Sequence, residues 1–229
     1  MTKRKLAALS LRSMSDFAST PHVLIVGSGL TGSLTGFHLR QRCGGKIRID
    51  VADMARGAGG RMSTTRWGSD DVKANTGAQY VSCFSPEATA LVEAARASDG
   101  PGCPCPMDRV DDPLKRSTIF LLRPDEDYTN WLPRGGTNSV VKYFLSRGTP
   151  DVVSFEARLQ RLTQSGSKLC PQFDRGGSLS ASYDAVVLAM PPKDILKFFG
   201  SDDGSPDPQS QADLHRRTNR GKHRPLPDG

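Results

Sequence analysis

An α/β fold with a parallel central sheet is written into three stretches of this chain. Val23–Val26 is a run of four apolar residues, Ile47–Ala52 reads IRIDVA, and Ala185–Met190 reads AVVLAM. Val23–Val26 and Ala185–Met190 are uninterrupted apolar runs, the mark of strands buried on both faces in a sheet whose parallel strands are covered by helices, and Ile47–Ala52 reads as the second strand beside them. An antiparallel meander and part of a second domain are expected to be added to that sheet by the shorter strand signals between the runs.

The first strand leads into Gly27-Ser28-Gly29-Leu30-Thr31-Gly32, a G-x-G-x-x-G turn, and then into a helix whose Leu30, Leu34, Phe37 and Leu39 form an apolar stripe. In this arrangement the first glycine permits the tight turn and the second lets backbone approach a pyrophosphate. The third lets the helix lie close to the strand. The helix N-terminus offers unpaired N–H groups and a partial positive charge to the phosphates. Asp53 follows the second strand, 21 residues past Gly32, the distance at which a carboxylate accepts hydrogen bonds from a ribose hydroxyl. A glycine turn alone also arises for steric reasons. Strand, helix, second strand and acid together point to a dinucleotide site.

The segment after Asp53 separates two kinds of dinucleotide site. Met54–Met62 reads MARGAGGRM and has no 3.6-residue apolar period, whereas a nicotinamide-type domain would continue into its second crossover helix here. An extended loop past the cofactor is expected instead. Gly59 and Gly60 remove side chains where the chain must lie near a bulky ligand, and Arg61 can pair bidentately with a diphosphate.

Ala74–Tyr80 (ANTGAQY) leads into a strand at Val81–Phe84, and Ser85-Pro86 starts a helix to about Ala97, with serine as N-cap and proline at N1. Residues 98–117 are rich in Pro, Gly and Asp and read as a surface loop. Thr118–Leu122 and Tyr128–Leu132 read as a hairpin, in which Trp131 lines a pocket or fills the core with equal justification. A helix is expected over Thr137–Ser146, a short strand at Val152–Ser154, and two antiparallel strands within Leu159–Asp174, broken at Gly166. The run Ala185–Met190 reads as another central parallel strand, ending at Pro191-Pro192 where the carboxyl edge of such a sheet meets ligand. Residues 1–20 read as an extension and 200–229 as a polar, disordered tail.

Composition excludes several function classes. Net charge is +7, but residues 1–20 and 212–229 each contribute +3, leaving +1 for the body and no basic face for a nucleic-acid backbone. The basic tail reads as a solvated segment in preference to a polyanion binder. Five cysteines, an odd number without C-x-x-C spacing, and four scattered histidines predict no metal site, and free thiols suit a reducing compartment, taken as the cytoplasm. No apolar run approaches the roughly 20 residues that span a bilayer. The first twenty residues are basic, Ser-rich and nearly acid-free, which is compatible with a mitochondrial transit peptide, although a plain disordered extension is favoured.

VLIVGSGLTGSL, Asp53, GGRM, TGAQY, WLPRGG with VVKYFL, and YDAVVLAMPPKDIL, in that order, resemble the flavin-containing amine oxidase superfamily and its renalase-like branch. The resemblance covers roughly residues 22–197. It implies a Rossmann-like FAD-binding domain over 21–97 and 136–199, with a partial substrate domain over 98–135. It implies Gly27, Gly29, Thr31, Gly32, Asp53, Gly60, Arg61, Gln79 and Tyr80 as FAD contacts, and backbone near the adenine around Leu159. The implied reaction passes hydride from a dihydronicotinamide or amine substrate to flavin, with molecular oxygen as final acceptor and hydrogen peroxide as product. The cofactor carries such chemistry, so no catalytic side chain is singled out. Two departures stand out. Asn75 replaces an acid usual in relatives, and residues 200–229 do not resemble the segment that returns to the flavin. The alternative is therefore a truncated, inactive relative acting as a nucleotide binder or interaction protein.

Overall fold

The structure, a computed structural model, describes residues 20–68, 72–97, 105–110, 129–175 and 178–196. The expected strand at Thr118–Leu122 and the expected disorder of the first 19 and last 30 residues lie outside the described residues. Strand β1 (His22–Val26) is buried at every position. It pairs in parallel with β2 (Arg48–Ala52) and with β11 (Ala185–Leu188), placing Ile25 opposite both Val51 and Val187. Strand β8 (Val152–Ser154) pairs with β2, giving the order β11-β1-β2-β8.

Alternation along β1 divides the core between the two faces of this sheet. Ile25 joins Ile47, Ile49 and Val51 beneath the helices, with Leu39 and Leu145 packed on them. Leu24 and Val26 face the other way, onto Ala157, Leu159 and Tyr183. Each such side chain, fully buried, stabilises the fold by about 1.5–3 kcal/mol. Helix α1 (Leu30–Cys43) returns the chain from β1 to β2, and its apolar stripe is only half-buried. Its buried positions are Gly32, Ser33 and Gly36, so small residues, not the leucines, set its closest contact.

Between β2 and β8 the chain leaves the parallel sheet. A hairpin, β3 (Thr64–Trp67) with β4 (Val72–Asn75), is followed by β5 (Val81–Cys83) and helix α2 (Pro86–Ala97), whose N-terminus is capped by Ser85 as expected. Strands β6 (Met107–Val110) and β7 (Thr129–Pro133) complete an antiparallel sheet, β5-β7-β6. Helix α3 (Asn138–Arg147) then packs along α1. Beyond β8, β9 (Leu159–Ser165) and β10 (Lys168–Phe173) form the expected antiparallel pair, turning at Gly166 with φ 58°. A short helix, α4 (Pro192–Ile195), follows β11.

Two expectations change, and the choice left open at Trp131 is decided. Residues 107–110, read as surface loop, form β6; Met107 is buried while Asp108 and Arg109 are exposed, so no apolar alternation showed in the sequence. Trp131 is core, 5% exposed, with the Arg96 guanidinium 5.4 Å from its ring centre. The AVVL strand is the outer strand of the parallel sheet, half-buried, not an interior one.

A polar cluster closes the amino end of the sheet. Asp50 is fully buried; its Oδ2 accepts a 2.9 Å hydrogen bond from the Tyr183 hydroxyl, and His22 Nε2 lies 2.9 Å away but off the hydrogen-bonding axis. Burial, and then the Asp50 carboxylate, push the Tyr183 hydroxyl pKa well above its usual value. Asp184 accepts from the His22 backbone N–H and from Lys168 Nζ, which ties β10 to the start of β1. Burial works to raise the Asp184 pKa, yet those two donors outweigh it and hold the carboxyl low. Tyr183→Phe removes a donor from a buried carboxylate whose Oδ1 is already unpaired among the described residues. The expected loss is about 1–3 kcal/mol in urea unfolding, and an unchanged midpoint would mean that the hydroxyl contributes nothing.

Candidate functional site

The carboxyl end of β1 is shaped by two glycines. Gly27 has φ 107°, and a Cβ there would lie 2.5 Å from the Ala189 carbonyl oxygen. Its N–H donates to the Ala52 carbonyl at 2.7 Å, locking the turn to β2. A Cβ on Gly32 would run into the Gly27 carbonyl, so the third glycine of the motif lets the first turn of α1 sit directly on the loop before it. Gly29 differs: with φ −74° it is in ordinary extended backbone, and a Cβ there would meet nothing nearer than the Gly59 oxygen and Gly60 Cα at 3.9 Å. No protein atom requires a glycine at 29.

The glycine-rich segment after Asp53 returns to this turn. Gly29 and Gly59 form an isolated parallel bridge, and the Gly59 N–H donates to the Ser28 carbonyl at 3.2 Å. Gly60 opens a single 3-10 turn, Gly60–Met62, beside Gly29. The N-terminus of α1 thus stands beside the bare backbone of Gly59 and Gly60. It has no side-chain cap and no acidic residue in its first turn. The contrast with α3 is direct: there Asn75 Oδ1 accepts from the Thr137 N–H at 3.0 Å, and Thr64 Oγ1 accepts from the Asn138 N–H at 3.3 Å. Uncapped N–H groups with a positive dipole end are what an anion needs.

Asp53 stands beside the turn, half-buried. Its Oδ2 accepts from both the N–H and the hydroxyl of Ser28, each at 2.6 Å, and its Oδ1 accepts from the Ala55 N–H at 2.8 Å. Oδ1 therefore keeps acceptor capacity for one more donor. Ser28 went unnoticed in the sequence; a hydroxyl inside the glycine turn opposite a short acid was the available signal. Two more polar atoms, Ser33 Oγ on α1 and Asn138 Oδ1 at the start of α3, are buried with no partner among the described residues. Asn138 Cβ lies 3.4 Å from where a Gly59 Cβ would stand. Buried orphan atoms are costly unless a ligand or water meets them. Uncapped N–H groups and an acid held beside them together fit the adenosine diphosphate half of a dinucleotide.

The remaining positions lie farther along the same wall. Thr31 is exposed on the first turn of α1, and the Arg61 side chain is exposed on the 3-10 turn. The Arg61 carbonyl accepts from the Ala78 N–H at 2.9 Å, and a Cβ on Gly77 would overlap that carbonyl, so the Arg61 turn and the segment carrying Gln79 and Tyr80 meet backbone to backbone. Gln79 donates through Nε2 to the carbonyls of Asn75 and Gly77, both at 3.0 Å, folding its amide onto its own loop. Tyr80 is 38% exposed. Asn75, the departure from the expected acid, is fully engaged through its side chain. Among the described residues no group of three or more His, Cys, Asp or Glu is placed to hold a metal, and no helix is long and apolar enough to cross a membrane.

Residues 25–95 match the family model of an NAD(P)-binding Rossmann-like domain. Mouse renalase is 29% identical to this chain over 182 residues, 78% of the chain. The chain is similar to renalase over that stretch. It spans about half, 49%, of that relative's length. Two solved structures align with TM-scores above 0.5. One is a protein of Exiguobacterium sp. 255-15 for which protoporphyrinogen oxidase activity is suggested (TM-score 0.57, 11% identity, 79% of this chain and 61% of that one). The other is the conjugated-linoleic-acid-producing (CLA-producing) fatty acid isomerase of P. acnes (TM-score 0.54, 12% identity, 80% and 62%). At these identities they establish a shared fold, a parallel sheet with antiparallel additions.

The geometry of the turn makes its glycines separable by experiment. Gly32→Ala forces the Gly27 carbonyl to move and is expected to cost about 1–3 kcal/mol of unfolding free energy. Gly29→Ala is expected to stay within about 0.5 kcal/mol of the parent. Chemical denaturation of both variants checks the order, and a larger loss at Gly29 than at Gly32 would contradict it.

Proposed function

We propose that this chain binds FAD and acts as a flavin-dependent oxidoreductase of renalase type. It would oxidise a dihydronicotinamide or amine substrate and pass the electrons to molecular oxygen, with hydrogen peroxide as product. The observation that carries the proposal is the uncapped N-terminus of α1 facing the bare backbone of Gly29, Gly59 and Gly60, with Asp53 held beside it. The diphosphate is assigned to those N–H groups, with Gly27 and Gly32 shaping the turn, and the adenosine ribose to Asp53 Oδ1. Gly60 leaves room for the ligand, Thr31 flanks the phosphates, and Arg61 is assigned to the stretch where the diphosphate meets the flavin. Gln79 and Tyr80 lie along the flavin ring.

Flavin is favoured over nicotinamide by the path of the chain after β2. Instead of a crossover helix and an adjacent third strand, it returns to touch the glycine turn, and the next parallel partner of β2 arrives only at Val152. The family description of residues 25–95 concerns the nucleotide-gripping unit, which both kinds of dinucleotide share. When bound, FAD supplies the two-electron acceptor, and the chain's part is to bind, orient and shield it. In that arrangement residues 21–97 and 136–199 form the FAD-binding domain and 98–135 a partial substrate domain. Among the described residues Cys43, Cys83 and Cys170 are free thiols, in keeping with a cytoplasmic site of action. The second reading is a nucleotide-binding or interaction protein without turnover.

Purified chain titrated with FAD and with ADP tests the assignment. Wild type is expected to bind both and to bleach its bound-flavin absorption under nitrogen when a reduced nicotinamide isomer or an amine is added. Binding without bleaching would favour the second reading. Gly29→Val, which places a branched side chain where the pyrophosphate approaches, is expected to weaken FAD and ADP alike by at least about tenfold with the fold intact. Parental affinity in that variant would put the phosphates elsewhere.

A further inference from the structure

We propose that Thr137, acting with Asn75, is a positioning residue that sets the two loops facing the flavin ring; this rests on the site being an FAD site. Thr137 is completely buried just ahead of α3. Its Oγ1 lies 3.1 Å from the Ala78 carbonyl oxygen, 3.2 Å from Asn75 Oδ1 and 3.3 Å from the Met62 carbonyl oxygen, while its backbone N–H donates to Asn75 Oδ1 at 3.0 Å. A hydroxyl has one proton to give, so it serves these acceptors in turn and sits at a junction of segments instead of closing one turn. Two of those segments are the ones assigned to the flavin. Met62 ends the turn that carries Arg61, and Ala78 immediately precedes Gln79 and Tyr80.

Asn75 completes the junction. Its Oδ1 also accepts from Thr64 Oγ1 at 2.9 Å, and its Nδ2 donates to the Gln79 carbonyl at 3.3 Å. Both ends of the carboxamide are used. A carboxylate accepts but does not donate, so the amide is matched to this junction in a way an acid is not. The junction also stands apart from the phosphate turn, because no hydrogen bond described joins Thr137 or Asn75 to residues 27–32 or to Asp53. Disturbing it is therefore expected to alter how the ring end of FAD is held and to leave the ADP half alone.

Titration of wild type, Thr137→Val, Thr137→Ser and Asn75→Asp with FAD and with ADP, by calorimetry and flavin fluorescence, reads that split. Thr137→Val, nearly equal in volume but without the hydroxyl, is expected to weaken FAD about tenfold, the scale of one buried hydrogen bond, and to hold ADP within about twofold. Thr137→Ser restores FAD binding, and Asn75→Asp reproduces the selective loss through the donor it lacks. If Thr137→Val does not fold, the contrast between the Ser and Asp variants decides. Three results would overturn the proposal: parental FAD affinity in the Val and Asp variants, equal losses for FAD and ADP, or a wild type that holds FAD no more tightly than ADP. A wild type that binds neither ligand would overturn the FAD site itself and this proposal with it.

Discussion

Everything at the carboxyl end of the sheet depends on one close approach, the Gly27 carbonyl set against the α-carbon of Gly32. That contact lets α1 begin at Leu30, with no side chain capping its first N–H groups. It also brings Gly29 level with Gly59, so that the loop after Asp53 doubles back onto the turn. Ser28 then clamps Asp53 by two short hydrogen bonds to one oxygen, fixing the acid in the same frame. A side chain at position 32 would disturb all three features together, because each is referred to the same few atoms.

The sheet divides its work by end and by face. At the amino end His22, Asp50 and Tyr183 form a buried polar knot, with the part-exposed Asp184–Lys168 pair beside it, joining β1, β2 and the β10–β11 connection. At the carboxyl end the backbone is left bare of caps. Between the two, Ile25, Ile49 and Val51 pack beneath α1 and α3, while Leu24 and Val26 pack on the β9–β10 side. Structural polarity and ligand-seeking polarity are therefore kept a strand's length apart, and the apolar middle of β1 insulates one from the other.

Much of this was legible because it is local. The glycine turn, the acid after β2 and the Ser85-Pro86 helix start each need only a few neighbouring residues to declare themselves. The parts that were not legible are made by contacts distant in sequence. Thr137 meets Met62, Asn75 and Ala78 across 59 to 75 residues, and nothing around Thr137 announces it. Strand β6 shows one inward methionine followed by two charged residues and exists through its pairing with β7. Trp131 could be a pocket or a core residue until β5 and β6 closed on β7. The AVVL run read as interior because its composition is that of a doubly covered strand, yet among the described residues only one neighbour, β1, pairs with it in the parallel sheet.

Amide chemical shifts of the isotope-labelled chain test the phosphate grip most directly. On adding ADP, the largest changes are expected at the N–H groups of Gly29, Leu30, Thr31 and Gly32, and adenosine at the same concentration is expected to leave them nearly unmoved. Binding of ADP with those four amides unchanged, or equal responses to ADP and adenosine, would contradict the assignment of the α1 N-terminus to the diphosphate.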